Sequence, residues 1–315
     1  MKGVILAAGK GTRLYPITRH IPKPLLPIAN RPTIHYAFDR LKEIGVSDIC
    51  VVVGGSGDRM KETLGDGASC GVGLTYVTQH LPQGLAHAVG YAKDFVAGDS
   101  FVLYLGDAIY GDGFQEYARY FKDSRCANLN LVKPVEDPTR FGVAYVDGDR
   151  IVKLVEKPPT TTSNLAMAGM YFFGPEIWSV LPDLAPSARG EYEITDAIQM
   201  LIDRGADVRA GVYEGTWFDT GTLDSFLQTS DFLIDGATLV EGDVDGEIGP
   251  NVVVGTGATV RCGRISNSVV FPDASVSVTG DISRSLLADN VTSSESIVDD
   301  ICYGMERRSE DLVPR

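Results

Sequence analysis

The stretch GVILAAGKGTRLYPIT, from Gly3 to Thr18, joins a short apolar run to a glycine-rich loop. Residues 4–8 are apolar and begin with two β-branched side chains, which predicts a buried strand. Gly9, Lys10, Gly11, Thr12 and Arg13 follow directly. Glycines allow backbone N–H groups to approach a phosphate, and a cation nearby neutralises its charge. The stretch therefore predicts a phosphate site at the end of a strand.

The loop belongs to neither of the two best-known phosphate motifs. Leu14 stands where a dinucleotide fingerprint has its third glycine, and no Gly-Lys-Ser/Thr follows at Walker A spacing. Arg13 offers a planar fork and Lys23 a compact charge, and a polyphosphate can use both. Prolines at positions 22, 24 and 27 stiffen the chain around Lys23. The alternatives are a tight turn without a ligand and, for each cation alone, a solvated surface residue.

The rest of the first two thirds alternates between strand-like and helix-like segments. Up to Asp107 the order β-α-β-α-β-α-β predicts an α/β fold with a mostly parallel sheet and helices on both faces. Ligands of such sheets bind at the carboxyl ends of the strands, where the Gly9 loop and Asp107 both lie. Residues 84–96 predict one helix, and residues 195–205 another with Thr195 as its cap.

Composition changes near Gly236. Residues 236–300 contain no Lys, Tyr or Trp. Aliphatic side chains recur there at six-residue steps, at Ile248, Val254 and Val260 and again at Val270, Val276 and Ile282. Six-residue repeats with small residues between aliphatics are typical of a parallel β-helix, whose coils stack and bury one ladder of side chains. A β-sandwich or two hairpins is the alternative. We expect this part to serve assembly into a homo-oligomer.

Overall composition limits the partners. The net charge is −14, which predicts no nucleic acid and no membrane partner. The five cysteines predict free thiols in a reducing compartment, and hence a cytoplasmic location, while the four histidines show no zinc spacing. No stretch reaches the roughly 20 apolar residues of a membrane span. The last four residues, Leu312–Arg315, read like the remnant of a thrombin-cleavable tag, with a native tail as the alternative.

Several further stretches occur in a recognisable order. These are YVTQHLPQGLAHAV, YLGDAIYG, RFGVAYVDGDRIVKLVEKP, RGEYEITDAI and WFDTGT. With the opening stretch, they resemble the sugar-phosphate nucleotidyltransferases, most closely the glucose-1-phosphate thymidylyltransferases of the longer form. The resemblance implies a Rossmann-like catalytic domain with a mixed, mostly parallel sheet over residues 1–235. It implies a short left-handed parallel β-helix over residues 236–300, followed by a tail over residues 301–315.

The resemblance also implies a role for particular residues. The nucleotide would be held by Leu6, Ala8, Gly9, Gly11, Thr12, Arg13, Gln79, Gly84 and Asp107. The sugar phosphate would be held by Lys23, Gly142, Glu156, Lys157 and Arg189. Catalysis would rest on Arg13, Lys23, Asp107, Lys157 and Asp219. Of these, Asp107 and Asp219 would be the ligands of Mg²⁺, which prefers oxygen ligands and takes few from the protein.

The activity implied is transfer of a nucleotidyl group from dTTP to glucose 1-phosphate, with release of pyrophosphate, in nucleotide sugar biosynthesis. The nucleophile is already an anion, so no general base is required. One departure bears on the nucleotide, because Ala108 stands where the thymidylyltransferase pattern has an amide. UTP is the first alternative, since uracil and thymine differ by one methyl group, worth roughly 1 kcal/mol. A purine nucleotidyltransferase and a non-catalytic regulatory homologue are further alternatives.

Overall fold

The computed structural model describes residues 1–111 and 113–308, and the chain divides into two compact units. The first, called here the sheet unit, consists of Met1–Gly9 and Tyr36–Trp217. The second, called the coil unit, consists of Lys10–His35 and residues 218–308. The domain boundary expected at residues 235 and 236 stays a prediction, and the tag-like residues 312–315 lie outside the described residues.

The α-helices number nine in the described ranges. They are α1 Ile17–His20, α2 Thr33–Glu43, α3 Gly57–Leu64, α4 Leu85–Tyr91, α5 Lys93–Val96, α6 Gln115–Ser124, α7 Ile177–Val180, α8 Ile194–Asp203 and α9 Leu223–Leu233. The one helix expected over residues 84–96 is therefore two, interrupted at Ala92. Gly90 in the last turn of α4 weakens the helix there, because glycine loses more backbone freedom than other residues.

Nine strands form the main sheet of the sheet unit. They are β1 Lys2–Ala7, β2 Asp48–Val53, β3 Gly73–Thr78, β4 Phe101–Leu105, β5 Asn128–Pro134, β6 Gly142–Asp147, β7 Arg150–Glu156, β8 Leu165–Phe173 and β9 Val208–Val212. Their order is β3-β2-β1-β4-β8-β5-β9-β7-β6. The mixed α/β architecture predicted from the sequence is confirmed.

Parallel pairing is concentrated in one half of this sheet. Strands β3, β2, β1 and β4 are all parallel neighbours. From β8 onward the pairs are antiparallel, except for β9 with β5. Helices cover the parallel strands, so these read as continuous apolar runs: Val4 and Ile5 of β1 and all of Ile49–Val53 in β2 are fully buried.

Short strands of the coil unit stack in parallel from Thr238 to Tyr303, a segment called here the strand stack. Its strands are Thr238–Val240, Asp243–Ile248, Val252–Val254, Thr259–Ser266, Ser268–Val270, Ser275–Val278, Ile282–Ser283, Leu286–Ala288, Asn290–Ser293, Ile297–Val298 and Ile301–Tyr303. Val252–Val254 pairs with Ser268–Val270, which pairs with Leu286–Ala288, and so on to Ile301–Tyr303. This is the pairing expected of β-helix coils; their handedness stays a prediction.

The six-residue ladder of the strand stack is buried apart from its first member. Val254, Val260, Val270, Val276 and Ile282 are at most 2% exposed, whereas Ile248 is 42% exposed. The strand that holds Ile248 pairs on one side only, with Thr259–Ser266, because it lies in the first coil. End coils of repeat structures lack a neighbour to cover them.

Candidate functional site

Glycines bring the carboxyl ends of the parallel strands of the sheet unit close together. A Cβ on Gly54, just after β2, would lie 2.9 Å from the Ala8 carbonyl oxygen. A Cβ on Gly106, after β4, would lie 2.9 Å from the Leu6 carbonyl oxygen. Any larger residue would push the strand ends apart. Leu6, Ala8, Gly9 and Asp107, predicted as nucleotide residues, therefore lie at the same edge of the sheet.

Gln79 extends this edge beyond β3. Its backbone N–H donates to the Val53 carbonyl at the end of β2, over 2.8 Å, and its side chain is 5% exposed. The amide nitrogen lies 2.9 Å from His87 Nδ1 and 3.4 Å from the Gly84 carbonyl oxygen. Gln79 and Gly84, both predicted to hold the base, are thus brought together by a hydrogen bond, and His87 joins them without having been predicted.

Gly84 is required by its close approach to another predicted segment. Its φ of 108° is in the region that favours glycine, and a Cβ there would lie 2.5 Å from the Tyr192 carbonyl oxygen. Tyr192 donates its backbone N–H to Gln83 and accepts from Ala86. The loop predicted for the base and the RGEYEITD stretch predicted for the sugar are consequently fixed against each other within the sheet unit.

The residues predicted for the sugar form a hydrogen-bonded cluster around Glu156, at the end of β7. Glu156 Oε2 accepts from Thr195 Oγ1 over 2.6 Å, and Oε1 lies 3.3 Å from Arg189 Nη2 and 3.7 Å from Lys157 Nζ. Gly142 pairs with Glu156 across the hairpin, and a Cβ there would lie 2.8 Å from Thr195 Oγ1. The structure therefore brings Gly142, Glu156, Lys157 and Arg189 together.

Thr195 has a different role from the one expected. It is the second residue of α8, whose N-cap is Glu193, and it makes no cap hydrogen bond. Its hydroxyl instead donates to Glu156, and the side chain is buried at 2% exposure. The expected cap is therefore wrong, because α8 begins one residue earlier, at Ile194, and Glu193 takes the N-cap position.

Arg189 is held by carboxylates on several sides. Its Nη2 donates to the buried Glu193 over 2.7 Å, and Nε donates to the same oxygen over 3.2 Å. Partial burial lowers the pKa of the guanidinium, but the hydrogen bond and charge of Glu193 raise it overall. Burial, followed by the charges of Glu193 and Glu156, raises the pKa of Asp196 nearby. A fixed guanidinium among carboxylates suits a ligand that carries both hydroxyls and a phosphate.

A second group of predicted residues lies in the coil unit. Gly11 has a φ of 63° and begins the short helical turn Thr12–Leu14, and its carbonyl accepts from the Thr18 hydroxyl over 2.8 Å. Asp219 lies between two cations: Oδ2 is 3.9 Å from Arg13 Nη2, and Oδ1 is 3.8 Å from Lys23 Nζ. Lys23 is only 8% exposed, which excludes the solvated surface residue considered as its alternative.

Gly221 was missed from the sequence although it belongs to the same stretch as Asp219. A Cβ on Gly221 would lie 2.5 Å from Arg13 Nη2 and 2.9 Å from Asp219 Oδ1. The absence of a side chain therefore makes room for the Arg13 guanidinium. The sequence DTGT places a glycine close to Asp219, but it does not show that Arg13 lies against that glycine.

Tyr303, the last residue of the strand stack, and Glu306 just beyond it contact α1 inside the coil unit. The His20 ring stacks on Tyr303, with centroids 3.9 Å apart, and its Nε2 lies 2.8 Å from Glu306 Oε1. Arg19 Nη1 donates to the other Glu306 oxygen over 3.3 Å. Through α1, these contacts hold the chain between the Gly11 turn and Lys23.

The carboxylates present fit a magnesium ion held mainly by its substrate. Within residues 1–111 and 113–308, no three His, Cys, Asp or Glu side chains group to form a metal site. Mg²⁺ binds through one or two carboxylates plus phosphate oxygens, so it does not need such a group. Asp219 of the coil unit, with a side chain 38% exposed between two cations, offers such oxygens, and so does Asp107, two residues after β4 in the sheet unit.

Two further findings concern the cysteines and the apolar character of the helices. Five cysteines are free, and burial raises the pKa of Cys50 to about 12, with a contribution from the charge of Asp48. Across the described ranges, no helix has both the length and the apolar character to span a membrane.

Comparison with known proteins identifies a family whose model matches most of the chain. Residues 2–236 match the model of the family described as nucleotidyl transferase. A low-salt glycan biosynthesis nucleotidyltransferase, Agl11 of Haloferax volcanii, is 38% identical over 328 residues, covering 91% of this chain and 92% of that protein. A glucose-1-phosphate thymidylyltransferase of Streptomyces antibioticus is 42% identical over 277 residues, covering 86% and 78%.

Solved structures give the same result for the fold. A Bacillus anthracis protein described as a glucose-1-phosphate thymidylyltransferase, in complex with a sucrose, superposes with a TM-score of 0.70 at 37% identity, covering 75% of this chain and 96% of its own. A UDP-glucose pyrophosphorylase complexed with UDP-glucose superposes with a TM-score of 0.68 at 25% identity, covering 74% and 98%.

Proposed function

The chain belongs to the nucleotidyl transferase family and is a sugar-phosphate nucleotidyltransferase, and from that premise we propose that it transfers a nucleotidyl group from dTTP to glucose 1-phosphate. The observation that carries the proposal is the pairing of Asp219 with Arg13 and the buried Lys23 beside the glycine turn. Two cations, of which Lys23 is buried, and a carboxylate between them suit a polyphosphate that brings its own metal ion.

The reaction needs no general base. A phosphate oxygen of the sugar attacks the α-phosphorus, the bond from that phosphorus to the bridging oxygen of the β-phosphate breaks, and pyrophosphate leaves. We assign neutralisation of the triphosphate to Arg13 and Lys23, and charge balance at the sugar phosphate to Lys23 and Lys157. Bound Mg²⁺, with Asp107 and Asp219 as protein ligands, would supply further neutralisation of the leaving pyrophosphate.

The remaining residues are assigned to recognition. The backbone of Ala8, Gly9, Gly11 and Thr12 would approach the triphosphate, with Leu6 beneath the base and Gln79 and Gly84 at its edge. Glu156, supported by Thr195, would accept hydrogen bonds from the sugar hydroxyls, close to Gly142, and Arg189 would lie beside it. The buried Thr195, which donates to Glu156 over 2.6 Å, and the 2.7 Å hydrogen bond from Arg189 to the buried Glu193 support the use of this cluster for specificity.

UTP is the alternative nucleotide, and one comparison favours keeping it. A relative of the same fold binds UDP-glucose, and a methyl group adds only roughly 1 kcal/mol of discrimination. Ala108, which replaces the amide of the thymidylyltransferase pattern, is 5% exposed and presents its carbonyl to Tyr104. It therefore offers no side-chain hydrogen bond that separates the two nucleotides.

A substrate matrix tests the proposal. Purified protein with Mg²⁺ is given dTTP, UTP, CTP, ATP or GTP against glucose 1-phosphate and other sugar 1-phosphates, and pyrophosphate release is measured. We expect the highest kcat/KM with dTTP and glucose 1-phosphate, with UTP next and purines poor. Preference for ATP or GTP would contradict the base assignment, and no turnover with any pair would favour the regulatory homologue. Light scattering on the same sample tests the expected homo-oligomer.

A further inference from the structure

The amide nitrogen of Gln79 faces two protein atoms that can accept hydrogen bonds. Its Nε2 lies 3.4 Å from the Gly84 carbonyl oxygen and 2.9 Å from His87 Nδ1. A carbonyl oxygen can only accept, so the amide atom that faces Gly84 must be the nitrogen. Both N–H groups are then directed at protein atoms, and Oε1 receives no hydrogen bond from the described part of the chain.

The hydrogen bond from Gln79 determines which ring nitrogen of His87 is the acceptor. Because Gln79 Nε2 is a donor, His87 Nδ1 must accept, which requires a neutral ring with its proton on Nε2. The ring itself is held by two tyrosines: Tyr91 meets it edge-on with centroids 5.2 Å apart, and Tyr192 stacks on it at 6.0 Å. The position of Tyr192 is fixed in turn by its contact with Gly84.

We propose that His87 is a positioning residue for selection of the base. By accepting from Gln79 Nε2, it fixes Oε1 as the atom that meets the nucleotide. Oε1 is complementary to a ring N–H, such as N3–H of thymine or uracil, and opposes a ring nitrogen that is itself an acceptor, such as N3 of cytosine. The inference rests on the proposed role of Gln79 in base binding and predicts that the site rejects CTP.

Two substitutions separate the acceptor from the ring. His87→Phe keeps an aromatic ring between Tyr91 and Tyr192 but removes the acceptor. His87→Asn removes the ring but places its Oδ1 near the position of Nδ1, so the acceptor remains. Should the phenyl ring impair folding, His87→Leu removes the acceptor with a smaller side chain. Melting curves identify the variants that fold.

The measurement is the ratio of kcat/KM for UTP to that for CTP, with the KM for glucose 1-phosphate as an internal control. We expect His87→Phe to lower the ratio about tenfold, the value of one hydrogen bond that is made or lost in a buried site. The loss should come mainly from a higher KM for UTP. His87→Asn should keep the ratio within about twofold, and the KM for the sugar phosphate should not change.

Gln79→Ala distinguishes failure of this inference from failure of the proposed function. A folded His87→Phe protein with the wild-type ratio overturns the inference, as does a loss that appears in His87→Asn but not in His87→Phe, because the ring and not the acceptor would then matter. If Gln79→Ala lowers kcat/KM for UTP while His87→Phe has no effect, base binding by Gln79 stands and only the role of His87 falls. If Gln79→Ala also has no effect, the proposed base site is wrong.

Discussion

The polar clusters of the two units are built differently. In the sheet unit, the Glu156 cluster is joined by short hydrogen bonds, 2.6 Å from Thr195 and 2.7 Å between Arg189 and Glu193. In the coil unit, Asp219 stands 3.8 Å from Lys23 and 3.9 Å from Arg13, beyond hydrogen-bond distance. The first arrangement fixes donors and acceptors, which suits the selective recognition proposed above. The second holds unlike charges at ion-pair distance, which is the arrangement proposed above to meet a polyphosphate and its metal ion.

The largest effect should follow loss of the acidic groups proposed to bind magnesium. Asp219→Asn and Asp107→Asn should each lower kcat by roughly 10²-fold or more, about 3 kcal/mol of transition-state stabilisation. The reason is that charge builds on the leaving pyrophosphate, so neutralisation acts mainly in the transition state. Steady-state kinetics with dTTP and glucose 1-phosphate measures this.

The double variant is the control for a shared metal ion. It should be little worse than the worse single variant, because groups that act through one ion are not additive. EDTA should abolish wild-type turnover, and excess Mg²⁺ or Mn²⁺ should restore it. Losses that multiply, or turnover that survives EDTA, would break the assignment of both aspartates to one metal.

A smaller and more selective effect is expected in the sheet unit. Glu156→Gln should raise the KM for glucose 1-phosphate about tenfold, since a hydrogen bond to a charged group contributes roughly 1.5–3 kcal/mol. The KM for dTTP should stay unchanged. Glu191→Gln is the matched control, because Glu191 also lies near Arg189 but is half exposed. An equal rise of both KM values would show that Glu156 supports the fold and does not select the sugar.

The smallest effect should come from the contact between α1 and the end of the strand stack. The hydrogen bond from His20, with charges of His20 and Arg19, lowers the pKa of Glu306. Ionised Glu306 therefore stabilises the fold above its ordinary pKa, and this contribution is lost as the pH falls through the lowered value. Glu306→Gln should lower the melting temperature at pH 7, and the difference should vanish in acid.

Glu306→Gln also tests whether the contact at the end of the strand stack supports the turn at Gly11. Glu306→Gln should lower kcat/KM for dTTP a few-fold, as expected for an exposed ion pair. Glu247→Gln, which removes an ion pair to Arg264 within the same stack, should leave it unchanged. Equal kinetics for wild type and Glu306→Gln would restrict the strand stack to assembly, which is the role expected from the sequence.

Much of the fold was predictable because hydrophobic periodicity records burial. The apolar runs of β1 and β2 and the six-residue ladder reflect side chains that are buried in the structure, and both were read correctly. Ile248 is exposed although it belongs to the repeat, because the six-residue spacing does not show which coil is the first and lacks a neighbour to cover it. The antiparallel half of the sheet was harder to predict, because strand direction depends on pairing between distant segments.

The family resemblance identified most of the candidate site residues, and the structure showed which neighbouring residues hold them in place. Motif matching gave Glu156, but not Thr195, whose hydroxyl donates to it from another element. His87 was visible in the sequence as one of four scattered histidines, and only the fold brings its Nδ1 to Gln79. Residues that act through a neighbour have no spacing rule in the sequence, so such partners were missed.

In the proposed reaction, a sugar phosphate oxygen attacks the α-phosphorus of the triphosphate and pyrophosphate leaves. Glucose 1-phosphate labelled with ¹⁸O in its non-bridging phosphate oxygens tests this directly, with mass spectrometry of both products. We predict that all of the label appears in the nucleotide sugar, one labelled oxygen forming the bridge between its two phosphorus atoms, and that pyrophosphate carries none. Label in the pyrophosphate, or nucleotide sugar without a labelled bridge, would exclude this course of reaction.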